Sequence, residues 1–397
     1  MSEIKNLITI KNFIFDDSAW FSCIVIEDTR IWALKTFLPK AYSTTIFIIT
    51  VCYLVLKPMR KLLYIVVYVA VLLLVASSIF LVYFWISMAH VPGQLLPRDS
   101  ELYGWDPWPN VNYTTQIAYP GGTERTINLT FYADGFKRFP SMTDNRIRIL
   151  VIGDSFTQAD HVSDNEPYYA YLEDIPNVSV FVKGVNAWGT TQEYLFLNKS
   201  YDMLKPQIII LQFCDNDFIN NDYNLEQRTY WQNIARIRPY FEHGKFIYKN
   251  PALIQLPLIG DSQLQRFINY KYDALVEKTI SHDDNLELKI FADQYAVKDF
   301  NASIQTTDAL IALFSARANH SKIFSFNACI WLSDESAYTR IMVRHNITVI
   351  NVAPTLRTLA LNNTVYTLDY HWTPIGHKAA GMIMRDQIEQ YLYPKHS

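Results

Sequence analysis

The 397-residue chain predicts an α/β protein, a three-layer α/β/α sandwich around a parallel sheet, preceded by transmembrane helices and a small β-rich segment. Three observations predict it. Short apolar runs alternate with helical stretches from Arg146 onward, the pattern of parallel strands joined by crossover helices. A long charge-free run, Leu62 to Met88, stands earlier in the chain. Between the two, apolar arms flank a Pro-Gly-Gly turn.

The membrane element comes first. Leu62 to Met88 is longer than the ~20 apolar residues that a bilayer core requires of a helix. Tyr83, Phe84 and Trp85 gather at one end, as interfacial aromatics do. A shorter run, Ala41 to Leu56, either spans or re-enters. Lys57, Arg60 and Lys61 lie between the two runs, and basic loops favour the cytoplasm, so the chain after Met88 is expected outside the cytoplasm. That means periplasmic in a Gram-negative cell and lumenal in a eukaryote. The side on which the N-terminus lies depends on whether one segment spans or two. Residues 1–40 carry no cleavable-signal pattern and no visible chemistry. Eight Asn-x-Ser/Thr sites, from Asn112 to Asn362, all follow the membrane run, which fits an extracytoplasmic domain in a glycosylating source.

Half of the residues are apolar and the net charge is −3, so nothing points to a nucleic-acid partner. The four cysteines form no CxxC pair and no metal-type spacing with histidine. Cys214 and Cys329 read better as buried free thiols than as a disulfide.

Residues 90–140 read as a Pro-containing linker and a β-rich lead-in, with a hairpin around Pro120-Gly121-Gly122. Residues 141–397 read as the main α/β domain. Its strand candidates are Ile147–Ile152, Val178–Val182, Ile208–Phe213, Lys322–Phe326 and Ile347–Val352. Helical stretches include Gln192–Leu204 and Thr307–Ala318. Residues 221–297 break the rhythm and read as an insertion. In the last helix Thr373 caps, Pro374 occupies the first turn, and Ile375, Ala379 and Met382 recur at helical spacing.

Gly153-Asp154-Ser155 follows the first of these strands, at the carboxyl end where α/β sheets bind ligands. By itself it reads better as a serine capping the next helix. A second element changes the balance. In Asp369-Tyr370-His371, side chains two apart on an extended segment point the same way, so Asp369 can orient His371 while the other ring nitrogen faces Ser155. His377, inside the last helix, and His161, soon after Ser155, are rival bases. The backbone N–H groups of Ser155 and Gly189 and the side-chain amide of Asn216 are the candidate oxyanion donors. The acidic run Asp215 to Asp222 lacks the central glycine and oxygen spacing of a calcium loop, so neither metal nor cofactor is expected.

Ser155, Gly189, Asn216 and His371, in this order and setting, resemble the SGNH (GDSL-type) hydrolase superfamily. Gly153-Asp-Ser-Phe-Thr157 is similar to its first block, Val185-Asn-Ala-Trp-Gly189-Thr-Thr-Gln192 to its glycine block, and Lys205 to Leu211 followed by Asn216-Asp217 to its asparagine block. Asp369 to His377 is similar to its final block, and Leu102-Tyr-Gly-Trp105 and Asp134-Gly-Phe-Lys137 look like the lead-in of membrane-tethered members. Cys214 stands where many members have glycine, and one residue separates Asp369 from His371 where many have two. The resemblance implies a flavodoxin-like sheet and ester chemistry through an acyl-Ser155 intermediate. It implies a membrane-anchored esterase acting on O-acyl, above all acetyl, esters of extracytoplasmic carbohydrate or lipid. The alternatives are an O-acyltransferase working with a multi-spanning membrane partner, and a non-catalytic assembly or binding protein.

Overall fold

The computed structural model describes residues 9–14, 20–26, 29–35, 57, 61–83 and 97–394, the last stretch without 144, 230–235, most of 252–299, 330–335, 362–364 and 368–369. Two compact units divide the chain, Met1–Ala89 and His90–Ser397.

In the first unit, β1 (Thr9–Ile14), β2 (Trp20–Ile26) and β3 (Thr29–Lys35) form an antiparallel meander in the order β1-β2-β3. The aromatic and β-branched residues of β2 are those that favour strands. A 23-residue helix, Lys61–Tyr83, is long and apolar enough to cross a membrane. The second apolar run, 41–56, lies outside the described residues, as do Phe84 and Trp85.

The second unit begins with two hairpins. β4 (Arg98–Ser100) pairs with β5 (Gly104–Asp106), and β6 (Val111–Ala118) pairs with β7 (Glu124–Phe131) across the expected turn. The central sheet follows: β8 (Ile147–Gly153), β9 (Val178–Gly184), β10 (Ile208–Phe213), β13 (Lys322–Asn327) and β14 (Thr348–Val349). All five are parallel, in the order β14-β13-β10-β8-β9. After β9 the chain crosses over β8 and continues on its other side. The switch point of this doubly wound sheet therefore lies between the carboxyl ends of β8 and β10, the place where sheets of this kind bind ligands.

Alternate side chains explain why the strands are apolar on both faces. Leu150, Ile152, Phe181, Ile209 and Leu211 face one core, which Leu195, Phe196 and Phe314 of the helices Thr190–Leu204 and Phe300–Arg317 complete. Ile149, Val151, Val180, Val182, Ile208 and Ile210 face the other, against Tyr168, Leu172, Met384 and Ile388. Each fully buried aliphatic side chain contributes about 1.5–3 kcal/mol. The result is three layers, helix on sheet on helix.

Three sequence expectations change. Cys214 and Cys329 are disulfide-bonded across 115 residues, not free thiols; they follow β10 and β13, which are neighbours in the sheet. Apolar β-sheet residues and buried thiols look alike in sequence, and only the strand order brings these two together. The last helix, Pro374–Leu392, buries Gly376, His377, Ala380, Gly381, Met384 and Ile388, whereas Ile375 and Met382 are exposed. Small residues set that face: a Cβ on Gly381 would lie 2.5 Å from the Tyr171 ring. The final strand is also shorter than its apolar run, because the chain turns into the helix Ala353–Ala360.

Of residues 221–297, the structure describes a hairpin, β11 (Arg238–Glu242) with β12 (Lys245–Lys249). Arg238 carries it into the domain core. Its guanidinium lies 3.0 Å from Glu226, with both side chains fully buried, and donates to the carbonyl of Ala187 at 2.7 Å and to Gln192 Oε1 at 3.2 Å. The lead-in is tied to the sheet in the same way. The buried Lys183 ammonium on β9 donates to Asp106 Oδ1 and to the Asp134 carbonyl, each at 2.6 Å.

Candidate active site

The turn that carries Ser155 is built by close approach. A Cβ on Gly153 would lie 2.3 Å from Gln212 Oε1, and one on Gly184 2.2 Å from the Gln158 nitrogen. These two glycines pair in register at the ends of β8 and β9, so the one-turn helix Ser155–Gln158 can rest directly on both strands. Gln212 on β10 locks it from the other side: its Oε1 accepts from the Asp154 N–H at 2.9 Å and from the Thr157 hydroxyl at 2.8 Å.

Taken by itself, the Gly153-Asp154-Ser155 triplet reads better as a capping serine. The cap is Asp154, whose carboxylate accepts from the Phe156 N–H at 2.9 Å. Ser155 is left as the first helical residue, half-buried, and His371 Nε2 stands 2.8 Å from its hydroxyl oxygen. Among the described residues no partner takes the Ser155 N–H. The helix ends at once, with Ala159 in the left-handed region at φ 57°.

His371 sits in a pinned loop. The N–H of Thr367 donates to the His371 carbonyl at 2.8 Å, the His371 N–H donates to the Thr367 hydroxyl at 3.1 Å, and Tyr366 bridges Trp372. Trp372 is fully buried against Phe156, so the loop and the helix that carries Ser155 pack together. Asp369, the expected orienting acid, lies outside the described residues.

The rival bases go elsewhere. His377 is buried, and its Nδ1 accepts the Tyr168 N–H at 3.3 Å. Burial first, and then His161 and His371, push its pKa down to about 3, so it is a neutral packing residue across the physiological range. His161 stacks on His371, with ring centroids 4.2 Å apart and planes 11° from parallel.

The oxyanion candidates divide. Asn216 starts the short helix Asn216–Asn220 directly after β10, nearly buried, across the switch point from Ser155. Burial pushes the Asp154 carboxyl up, while the Phe156 N–H, the nearby His371 and the amides of Gln212 and Asn216 pull it down, so Asn216 and the Ser155 turn meet at Asp154. The Gly189 N–H instead donates to Gln192 Oε1 at 3.2 Å and closes the start of the helix Thr190–Leu204. A Cβ there would lie 2.9 Å from Asn220 Cβ, so Gly189 fits the loop against the Asn216 helix. Beneath the site, burial drives the carboxyls of Glu193 and Asp217 well above the usual range, and each is raised further by the other acids of the cluster.

Sequence reasoning passed over Gln212, Arg238 and Ala187. Ala187 takes the left-handed region at φ 59°, a conformation alanine does not advertise. Gln212 was legible as a lone polar residue in an apolar strand, which needs a partner when buried. Arg238 carried no signal, because its partners come from Glu226, Ala187 and Gln192.

Fold and site together define an α/β protein with a serine–histidine pair at the switch point of a parallel sheet. The chain is similar to a lipase/acylhydrolase from Enterococcus faecalis, at 13% identity over 63% of this chain and 99% of that one, with a TM-score of 0.36. It is similar to a putative SGNH hydrolase from Slackia heliotrinireducens, at 10% identity over 62% and 100%, with a TM-score of 0.33. A third likeness is to an acetyl xylan esterase, at 14% identity over 61% and 100%, with a TM-score of 0.34. No family model matches the chain. No curated protein matches it.

Proposed function

We propose that this chain is a membrane-anchored serine esterase of the SGNH type, acting on O-acyl esters, above all acetyl esters, of extracytoplasmic carbohydrate or lipid. The observation that carries the reading is the 2.8 Å approach of His371 Nε2 to Ser155 Oγ at the switch point. Ser155 Oγ attacks the ester carbonyl as His371 takes its proton. The oxyanion forms beside the Ser155 N–H and the Asn216 amide, then collapses, and the departing alkoxide takes the proton from His371. Water then adds to the acyl-Ser155 ester with His371 again as base, releasing the carboxylic acid and restoring the hydroxyl. Nε2 accepts in this scheme, so Nδ1 carries the hydrogen, and Asp369 is the residue to hold it there.

The Lys61–Tyr83 helix supports the anchor, and the Cys214–Cys329 disulfide supports an oxidising, extracytoplasmic compartment. The same helix favours a second reading, transfer of the acyl group to a glycan hydroxyl, since it would hold the enzyme near a membrane-delivered donor. The chemistry differs only in what resolves the acyl-enzyme.

The test is labelling of the full chain in detergent with a fluorophosphonate. Wild type is labelled and Ser155→Ala is not; equal labelling of both sinks the proposal. His371→Ala slows turnover of p-nitrophenyl acetate by about 100-fold or more, whereas His377→Ala keeps most of the turnover per folded protein. Acetate release without acceptor supports hydrolysis, and acceleration only with added glycan supports transfer.

A further inference from the structure

Ring contacts beside the nucleophile point to a role for a second histidine. We infer that His161 is the positioning residue for the base, a flat platform that holds the His371 imidazole in the orientation presenting Nε2 to Ser155. The inference rests on the reading of His371 as general base.

The backbone of His371 is fixed by Thr367, but backbone bonds leave the two side-chain torsions of a histidine open. The stack acts on those torsions directly. With centroids 4.2 Å apart and planes 11° from parallel, rotation of the His371 ring drives its edge into His161. Phe156 adds a tilted ring contact at 5.1 Å.

The platform is itself immobilised. Left-handed Ala159 turns the chain back past the site, and Val162, fully buried, anchors the segment. Asp160 accepts from the Asn186 amide at 3.1 Å and from the Gln158 amide at 2.5 Å. The Tyr119 hydroxyl donates to the His161 carbonyl, and Tyr119 stands at the end of the β6–β7 hairpin. The lead-in hairpin therefore braces the base through His161, which gives the β-rich segment a part in the reaction without contact to substrate.

A base must sit within about 0.5 Å and 10–20° of its productive position, and a misplacement of about 1 Å costs on the order of 100-fold in rate. The experiment compares wild type, His161→Ala, His161→Gln and His161→Phe as full chains in detergent. The readouts are kcat, KM, melting temperature and ring-carbon NMR relaxation of His371. His161→Ala is expected to lower kcat by about 10- to 100-fold with KM within about twofold. His161→Phe, which keeps a flat ring without nitrogens, returns kcat to near wild type. Should His161→Ala unfold, His161→Gln supplies volume without a platform and takes its place.

Wild-type kcat in all variants overturns the inference. So does equal loss in the Ala and Phe variants at wild-type melting temperature, which makes a ring nitrogen part of the chemistry. A raised KM with kcat retained also overturns it, because His161 then touches substrate. The NMR arm needs no substrate: His371 ring mobility rises in His161→Ala and falls back in His161→Phe. If wild type turns over no ester, the esterase reading fails while this arm still decides the platform.

Discussion

Replacing Arg238 with methionine tests how the inserted hairpin supports the site. The guanidinium is fully buried, and its Nε lies 3.0 Å from a fully buried Glu226 oxygen, an ionic approach rather than an aligned hydrogen bond. At an effective dielectric near 20, charges 3.0 Å apart attract by about 5–6 kcal/mol. Truncating one partner of a buried pair costs about 3–5 kcal/mol, because the other charge is stranded. Bonds to Ala187 and Gln192 go as well, so Arg238→Met is expected to lose about 4 kcal/mol at pH 8, a large share of a typical domain's stability. The loss should depend on pH. Burial pushes Glu226 up to about 7 even with Arg238 and Tyr240 beside it, and without Arg238 it rises further. At pH 5 Glu226 is protonated in both proteins, so the charge that Arg238 offsets is absent and the cost shrinks. Urea unfolding of both proteins in detergent at pH 5 and pH 8 measures this. A loss below about 1 kcal/mol at pH 8, or the same loss at both pH values, refutes the reasoning.

Gly184→Ala should cost about 1–3 kcal/mol in thermal unfolding and, on the proposed function, slow ester turnover, since its Cβ would lie 2.2 Å from the Gln158 nitrogen and displace the helix that carries Ser155. Asp215, fully buried, is pushed up to about 7 by burial despite a bond from Asn327. A raised acid contributes stability that is present below about pH 4 and lost as pH climbs through about 7. Asp215→Asn should therefore gain on wild type in urea midpoint between pH 5 and pH 8. Reduction of Cys214–Cys329, or Cys214→Ala with Cys329→Ala, should lower stability by about 2–5 kcal/mol, read as a drop in melting temperature under dithiothreitol that the double variant no longer shows.

The layers of the fold were legible because each strand announces itself locally: Ile147 to Gly153 and Ile208 to Phe213 are apolar runs that need only a neighbour on either side. Their order was not, and with it went the disulfide, since nothing local places Cys214 beside Cys329. The meander of residues 9–35 was missed because its apolar and charged residues do not alternate cleanly. Ser155 and His371 were legible as chemistry-bearing residues at element ends. The buried face of the last helix was misjudged because glycine and alanine, not the large side chains, make its close contact. Arg238 was invisible for the opposite reason: a buried charge is defined by partners far off in sequence.

The serine and histidine of the site are 216 residues apart, and the histidine's loop immediately precedes the helix that ends the described chain. Synthesis proceeds from the N-terminus, and domains fold as their residues emerge. The sheet from β8 to β13 can therefore assemble around Ser155 while the base is still untranslated. Until the segment that carries His371 docks, the Ser155 hydroxyl has no imidazole beside it. The order of residues along the chain thus acts as a timer on the meeting of Ser155 with His371.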